Sequence, residues 1–124
     1  MADQWQQGMS GDELLVILSA LANPHRLRII ASLLEGRNYV SQLARDIGMS
    51  RPLLHMHLRK LEAAGLIRGS LALSEDGKAM RFFDIAPFAL HLTPELISEA
   101  AQTLTDSKTD SLGANEEEGK KRED

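Results

Sequence analysis

The stretch IGMSRPLLHMHLRKLEAAGLI, residues 47–67, decides the fold. Gly48 opens it with a turn, because glycine adopts left-handed backbone angles at no steric cost. Ser50 is a helix N-cap, and Pro52 suits the first helical turn, where no N–H is needed. Gly65 stops the helix. Leu54, Leu58 and Leu61 recur at helical spacing and define a buried face. Arg51, Pro52, His55, Met56 and Arg59 fall on or beside the opposite face. A short helix held from behind by leucines, with cations in front, is suited to lie in a DNA groove.

Upstream of this stretch the periodicity predicts three more helices. Ser10 and Glu13 match a capping box, and Leu14, Leu15, Leu18 and Leu21 follow, giving a helix over about residues 11–21. Asn23-Pro24 is a cap followed by a first-turn proline, and the next helix runs to about Glu35, with Gly36 ending it. A short helix over about Val40–Ile47 turns Leu43, Ala44 and Ile47 inward. Helix, short turn, helix is the helix-turn-helix unit.

Downstream the pattern changes. Leu66, Ile67, Leu71 and Leu73 read as one strand, and Met80, Phe82, Phe83 and Ile85 as another. Ser74-Glu75-Asp76-Gly77-Lys78 is the turn between them, so residues 66–85 form a β-hairpin. Pro87 breaks the second strand, and Thr93-Pro94-Glu95 starts a last helix over about residues 94–105. Residues 106–124 are too polar and charged to bury a core and are expected to be disordered; residues 1–10 are expected to be loose.

Length and charge narrow the function. A chain of 124 residues is one domain in size and long enough to hold a core. It has no cysteine, which removes disulfides, thiolate zinc sites and thiol chemistry. No apolar run approaches the roughly 20 residues of a membrane span. The N-terminus lacks the basic and apolar regions of a secretory signal, so a cytoplasmic protein with no membrane contact is expected. The formal net charge of −4 is unevenly spread: residues 24–85 hold ten Lys/Arg against six acids, while residues 106–124 hold four against seven. A basic middle between acidic ends suits a polyanion-binding face.

The competing chemistries are thin. His55 and His57 stand about 200° apart on a helix and cannot share a metal. His57 flanks the leucines and reads as a packed, hydrogen-bonded residue, while His55 lies nearer the exposed face. Arg26 and Arg28 read as phosphate contacts or as salt-bridge partners, and Arg45 as a backbone contact or the partner of a nearby acid. There is no Gly-rich phosphate loop, nucleophile elbow or HExxH motif, so neither an enzyme nor a cofactor or metal is expected. A winged helix serving only as a protein–protein assembly module is the alternative. Such a module would more often carry acids or apolar residues where Arg51, His55 and Arg59 stand.

Three ordered segments, LANPHRLRII at 21–30, SQLARDIGMS at 41–50 and HLRKLEAAGLI at 57–67, resemble the ArsR-type winged helix transcription regulators, over about residues 12–105. The resemblance implies a homodimeric repressor on double-stranded DNA with a near-palindromic operator. It puts the fourth helix in the major groove, the hairpin wing on the backbone, and the first and last helices in the dimer interface. The expected fold is mainly α with a small β-hairpin: a winged helix-turn-helix domain over 11–105 with an added C-terminal dimerisation helix. Candidate DNA-binding residues are Ser50, Arg51, Pro52, His55, Met56, Arg59, Lys78 and Arg81. Candidate interface residues are Leu14, Leu15, Leu18, Leu21, Ile97, Ala101 and Leu104, because a lone winged helix hardly needs apolar stripes at both ends; the alternative is that these two helices pack on each other within one subunit. The chain departs from metal-sensing relatives: Asn38–Gln42 carries no cysteine, and Thr93–Thr105 offers Glu95 and Glu99 but no histidine. Pro52 and Met56 stand where the family often has polar side chains, and they suit thymine methyl groups instead.

Overall fold

Local signals start four of the five helices. In the computed structural model, which describes residues 8–105, α1 (Gly11–Leu21) begins with a closed capping box: the Glu13 N–H donates to the Ser10 hydroxyl, and the Ser10 N–H to the Glu13 carboxylate. Helix α2 (Pro24–Leu34) is capped by Asn23, whose amide oxygen accepts from the His25 and Arg26 N–H groups. Helix α3 (Val40–Ile47) ends at Gly48, which takes φ +78° and donates its N–H to the Ala44 carbonyl. Ser50 caps α4 (Arg51–Ala63) through the Leu53 N–H, and Thr93 caps α5 (Pro94–Ala101) through the Leu96 N–H. Each such cap is worth about 1 kcal/mol, because it satisfies a donor the helix cannot.

The sheet holds one strand more than the hairpin. β2 (Ile67–Leu73) and β3 (Ala79–Ile85) pair antiparallel with Gly69 opposite Phe83, and a short β1 (Asn38–Tyr39) adds to the far side of β3. The order is therefore β1-β3-β2. β1 ties the start of α3 to the wing, with Tyr39 set edge-on to Phe82 at 5.6 Å between ring centroids. Two residues are too few to show an alternating pattern, which is why the sequence predicts only the hairpin.

The core sits between the helices and the inner end of the sheet. Ile29, Leu43, Leu54, Leu58, Leu61, Leu66 and Ile67 are fully buried, so the leucine face of α4 is the centre of the molecule. Each of these side chains contributes about 1.5–3 kcal/mol by leaving water. Among the described residues no single helix is long and apolar enough to cross a membrane.

Two chain ends differ from expectation. Met9 packs against the core and Ser10 caps α1, so order begins before residue 11. Helix α5 stops at Ala101 and not at residue 105. The Thr103 hydroxyl takes the Ala100 carbonyl at 3.0 Å and accepts the Gly11 N–H at 2.7 Å, which draws the chain out of the helix and onto α1. The expectations for Trp5 and for residues 106–124 lie outside the described residues.

Candidate nucleic-acid interface

Helix α4 presents its polar face because its leucines are committed behind it. Arg51, Pro52, His55, Met56 and Arg59 are all exposed, Met56 at 56 %. Ser50, also exposed, spends its hydroxyl on the Leu53 N–H at 3.4 Å. Arg51 and His55, one turn apart, face the wing. Together with Tyr39, Val40, Ser41, Ala79, Met80 and Arg81 they line a groove of about 270 Å³. A second, shallower groove of about 480 Å³ runs from Arg51 past Ser50 and Met49 to Arg45 and Ser41. Arg59 lies on the other flank of the helix, where it borders α1 beside Lys60, Leu15 and Val16.

The cations differ in how far they are already engaged. Arg81 stands 3.6 Å from the Glu62 carboxylate and over the Phe83 ring at 5.2 Å. Arg68 pairs with Asp84 at 3.6 Å and donates to the Ile85 carbonyl, and Arg37 lies over Phe82 at 4.5 Å. Arg45 donates to Gln42, which itself donates to Asp46. By contrast, among the described residues no ion pair or hydrogen bond engages the side chains of Arg51, Arg59, Lys60 or Lys78. An exposed unpaired cation keeps its full charge for a phosphate or a base edge.

Lys78 stands at the end of the wing turn, where its N–H donates to the Ser74 hydroxyl and Gly77 takes φ +85°. The Ser74 hydroxyl donates to Asp76, which holds that carboxyl below the usual carboxylate range. The wing tip therefore carries both signs, and Lys78 offsets Asp76 where the tip would meet a backbone.

His57 and Arg26 are placed elsewhere. His57 is only 7 % exposed and its Nδ1 lies 3.0 Å from an Arg26 guanidinium nitrogen, as expected of a packed histidine. Burial first, then Arg26 and His25, push its pKa below the ordinary value. Arg26 forms no salt bridge among the described residues: it donates to the Ala20 and Ser19 carbonyls at the end of α1. Among the described residues no group of three His, Cys, Asp or Glu is close enough to hold a metal ion.

Tyr39, Ser41 and Met80 line the wing groove but do not figure among the predicted contacts. Their place depends on β1 docking beside β3, which brings residue 39 against residue 82. Nothing in their local sequence marks that pairing.

Of the candidate interface residues, Leu14 is buried inside its own subunit at 5 % exposure, so no partner can reach it. Leu18, Leu21 and Leu104 are half-buried, while Leu15, Ile97 and Ala101 are exposed. Helices α1 and α5 meet at Gly11, whose missing Cβ leaves room for the Ala100 carbonyl and the Leu104 side chain. The two end helices thus pack on each other within one chain, and the residues flanking their seam remain open.

A cap-positioned helix over a leucine core, an antiparallel wing beside its N-terminal half, and exposed cations on both flanks of that helix and on the wing define a winged helix-turn-helix domain suited to meet DNA. The profile of the family described as "Bacterial regulatory protein, arsR family" matches residues 23–68. An HTH-type transcriptional regulator of Methanocaldococcus jannaschii is 35 % identical over 80 residues, covering 64 % of this chain and 83 % of that protein. The nodulation protein NolR of Rhizobium meliloti is 46 % identical over 50 residues, but these span only 40 % of this chain and 41 % of NolR. Among solved structures, a homodimeric winged helix-turn-helix DNA-binding domain from Mycobacterium bovis shares the fold, with TM-score 0.52 and 21 % identity over 86 % of this chain and 84 % of that one. The chain belongs to the ArsR family of bacterial regulatory proteins, and it is a DNA-binding transcriptional regulator.

Proposed function

We propose that the protein is a cytoplasmic, homodimeric repressor that reads a near-palindromic operator with α4. The domain doing this is residues 11–105. Arg51 and His55 reach base edges from the N-terminal half of the helix, the part of a recognition helix that contacts bases. Pro52 and Met56 sit against thymine methyl groups, Ser50 marks the entry of the helix, and Arg59 follows one turn beyond His55. Lys78 holds backbone phosphate from the wing, and the exposed part of Arg81 does so nearer the wing base.

The observation that carries this reading is that Arg51 on the wing side of α4, Arg59 on its α1 flank and Lys78 at the wing turn are exposed and, among the described residues, engaged by no ion pair or side-chain hydrogen bond. The interface between subunits is formed by Leu15, Leu18, Ile97, Ala101 and Leu104 along the α1–α5 seam, with Leu21 at its edge. The mycobacterial neighbour is described as homodimeric, which supports the same state here.

The test is selection of bound duplexes from a random pool at a stated salt concentration. The selected sites should be palindromic, with half-sites about one helical turn, or about 34 Å, apart. A double Arg51→Ala/Arg59→Ala variant should lose roughly 2–6 kcal/mol of specific binding per half-site if each side chain contributes about 1–3 kcal/mol. Unchanged binding by that variant would remove the recognition face from the reading.

A further inference from the structure

Arg26, half-buried on α2, reaches the inner side of the recognition helix. It joins the end of α1 to the inner side of α4. Its Nε–H donates to the Ala20 carbonyl at 2.7 Å and one terminal nitrogen to the Ser19 carbonyl at 3.4 Å. The other terminal nitrogen lies 3.0 Å from His57 Nδ1 on the inner side of α4. Helix α1 has no basic residue in its last turn, so Arg26 also supplies the cation that its carbonyl end favours.

We propose that Arg26 and His57 form a strut that sets the position of the recognition helix relative to α1, making Arg26 a positioning residue for DNA binding. The assignment rests on α4 being the DNA-reading helix.

The chemistry of the strut is one-sided. A guanidinium only donates, so His57 Nδ1 must accept, and the ring must be neutral with its proton on Nε2. A protonated ring has no acceptor left and would set a second cation against Arg26. The groups acting on His57 are Arg26 and His25, both from α2, with the His25 ring 5.5 Å away. The Ala20 and Ser19 carbonyls of α1 hold Arg26 and not the ring, and among the described residues no charged group of α1, α3 or β2 acts on His57. No carboxylate is there to rescue the protonated form, so protonation breaks the strut and frees α4 to shift. His55 and Met56 precede His57 directly on the same rigid helix, so that shift moves the exposed face as well.

The strut makes a prediction that packing alone does not. In His57→Asn the amide oxygen occupies the acceptor position but does not titrate. Operator affinity of the full chain is measured by fluorescence anisotropy at fixed salt, for wild type and His57→Asn, from about pH 8 to about pH 5, on a duplex selected by the wild type. Every group other than residue 57 is the same in both proteins, so its contribution cancels in their ratio. The ratio of wild-type to variant Kd should be near one at pH 8 and rise roughly fivefold at the acid end. Arg26→Lys keeps the charge but cannot span both α1 carbonyls and the ring, and it should bind several-fold more weakly at pH 8 while still melting cooperatively.

Superimposable pH profiles for wild type and His57→Asn would overturn the strut, as would an Arg26→Lys protein that binds like wild type. If Arg26→Lys does not fold, the profile pair decides alone. A wild-type chain that selects no DNA overturns the DNA-reading assignment and the strut's role together, a result distinct from either of the others.

Discussion

In its neutral form His57 accepts from Arg26 at 3.0 Å, and burial, Arg26 and His25 all favour that form over the charged one. Its folded pKa is therefore below the ordinary value near 6.5, which the unfolded chain keeps. The sign follows directly: below that ordinary value the unfolded state binds the extra proton and the folded state resists it, so stability falls as pH drops through the window. Thermal melts of the free protein should show a falling midpoint from about pH 6.5 downwards, and His57→Asn should flatten that fall. Parallel curves would mean that another group carries the acid sensitivity. The packed character of His57 was legible from its place beside the leucine face. Arg26's role was not, because its acceptors are main-chain carbonyls, which no residue type encodes, and a ring 31 positions away.

Elements meet closely at two glycines, and there the usual rule for glycine reverses. Gly11 lies in the first turn of α1, where alanine is ordinarily better by a few tenths to about 1 kcal/mol. A Cβ at this position would run into the Ala100 carbonyl oxygen and come within 2.7 Å of the Leu104 side chain. Overpacking of this kind costs about 1–3 kcal/mol, so the clash outweighs the gain in propensity. Gly11→Ala should therefore lower the thermal midpoint, whereas unchanged or raised stability would show that α5 yields easily. Gly69 plays the same part in the wing: a Cβ there would lie 2.9 Å from the Phe83 ring, 3.0 Å from Arg81 and 3.2 Å from Glu62. Gly69→Ala should press on the buried Phe83 ring and lower the thermal midpoint as Gly11→Ala does, and an unchanged midpoint would show that the wing yields easily.

Helix starts were readable at this scale because Ser10, Asn23, Ser50 and Thr93 each cap with their own side chains. The end of α5 was not, because a threonine hydroxyl engaged by the distant Gly11 N–H ends it.

At the scale of the whole molecule, charge and apolar surface divide the work. The basic middle, ten cations against six acids over residues 24–85, lets an acidic chain approach a polyanion. Its phosphate share is readable from salt dependence. If Lys78 neutralises one phosphate per subunit, Lys78→Ala in a dimer should reduce the slope of log K against log salt by about 1.8, that is, 0.9 per contact. An unchanged slope would place the wing tip off the backbone.

The apolar share lies at the α1–α5 seam. Gly11, Leu15 and Leu18 fall within about 60° of one another around α1. Ile97 falls about 60° and Ala101 about 100° from Ala100 around α5, so the exposed leucine and isoleucine flank the contact of Gly11 with Ala100. Leu15 at 55 % and Ile97 at 47 % exposure can each take a charge without burying it inside the subunit. Ile97→Glu should consequently leave the monomer folded, with a cooperative melt, yet sediment at half the wild-type mass at micromolar concentration. Because two linked recognition helices bind as one event, the same variant should lose operator affinity by orders of magnitude while keeping weak binding to a single half-site. A variant that remains dimeric would move the interface away from this seam, and a wild type that sediments as a monomer would leave the seam without a partner.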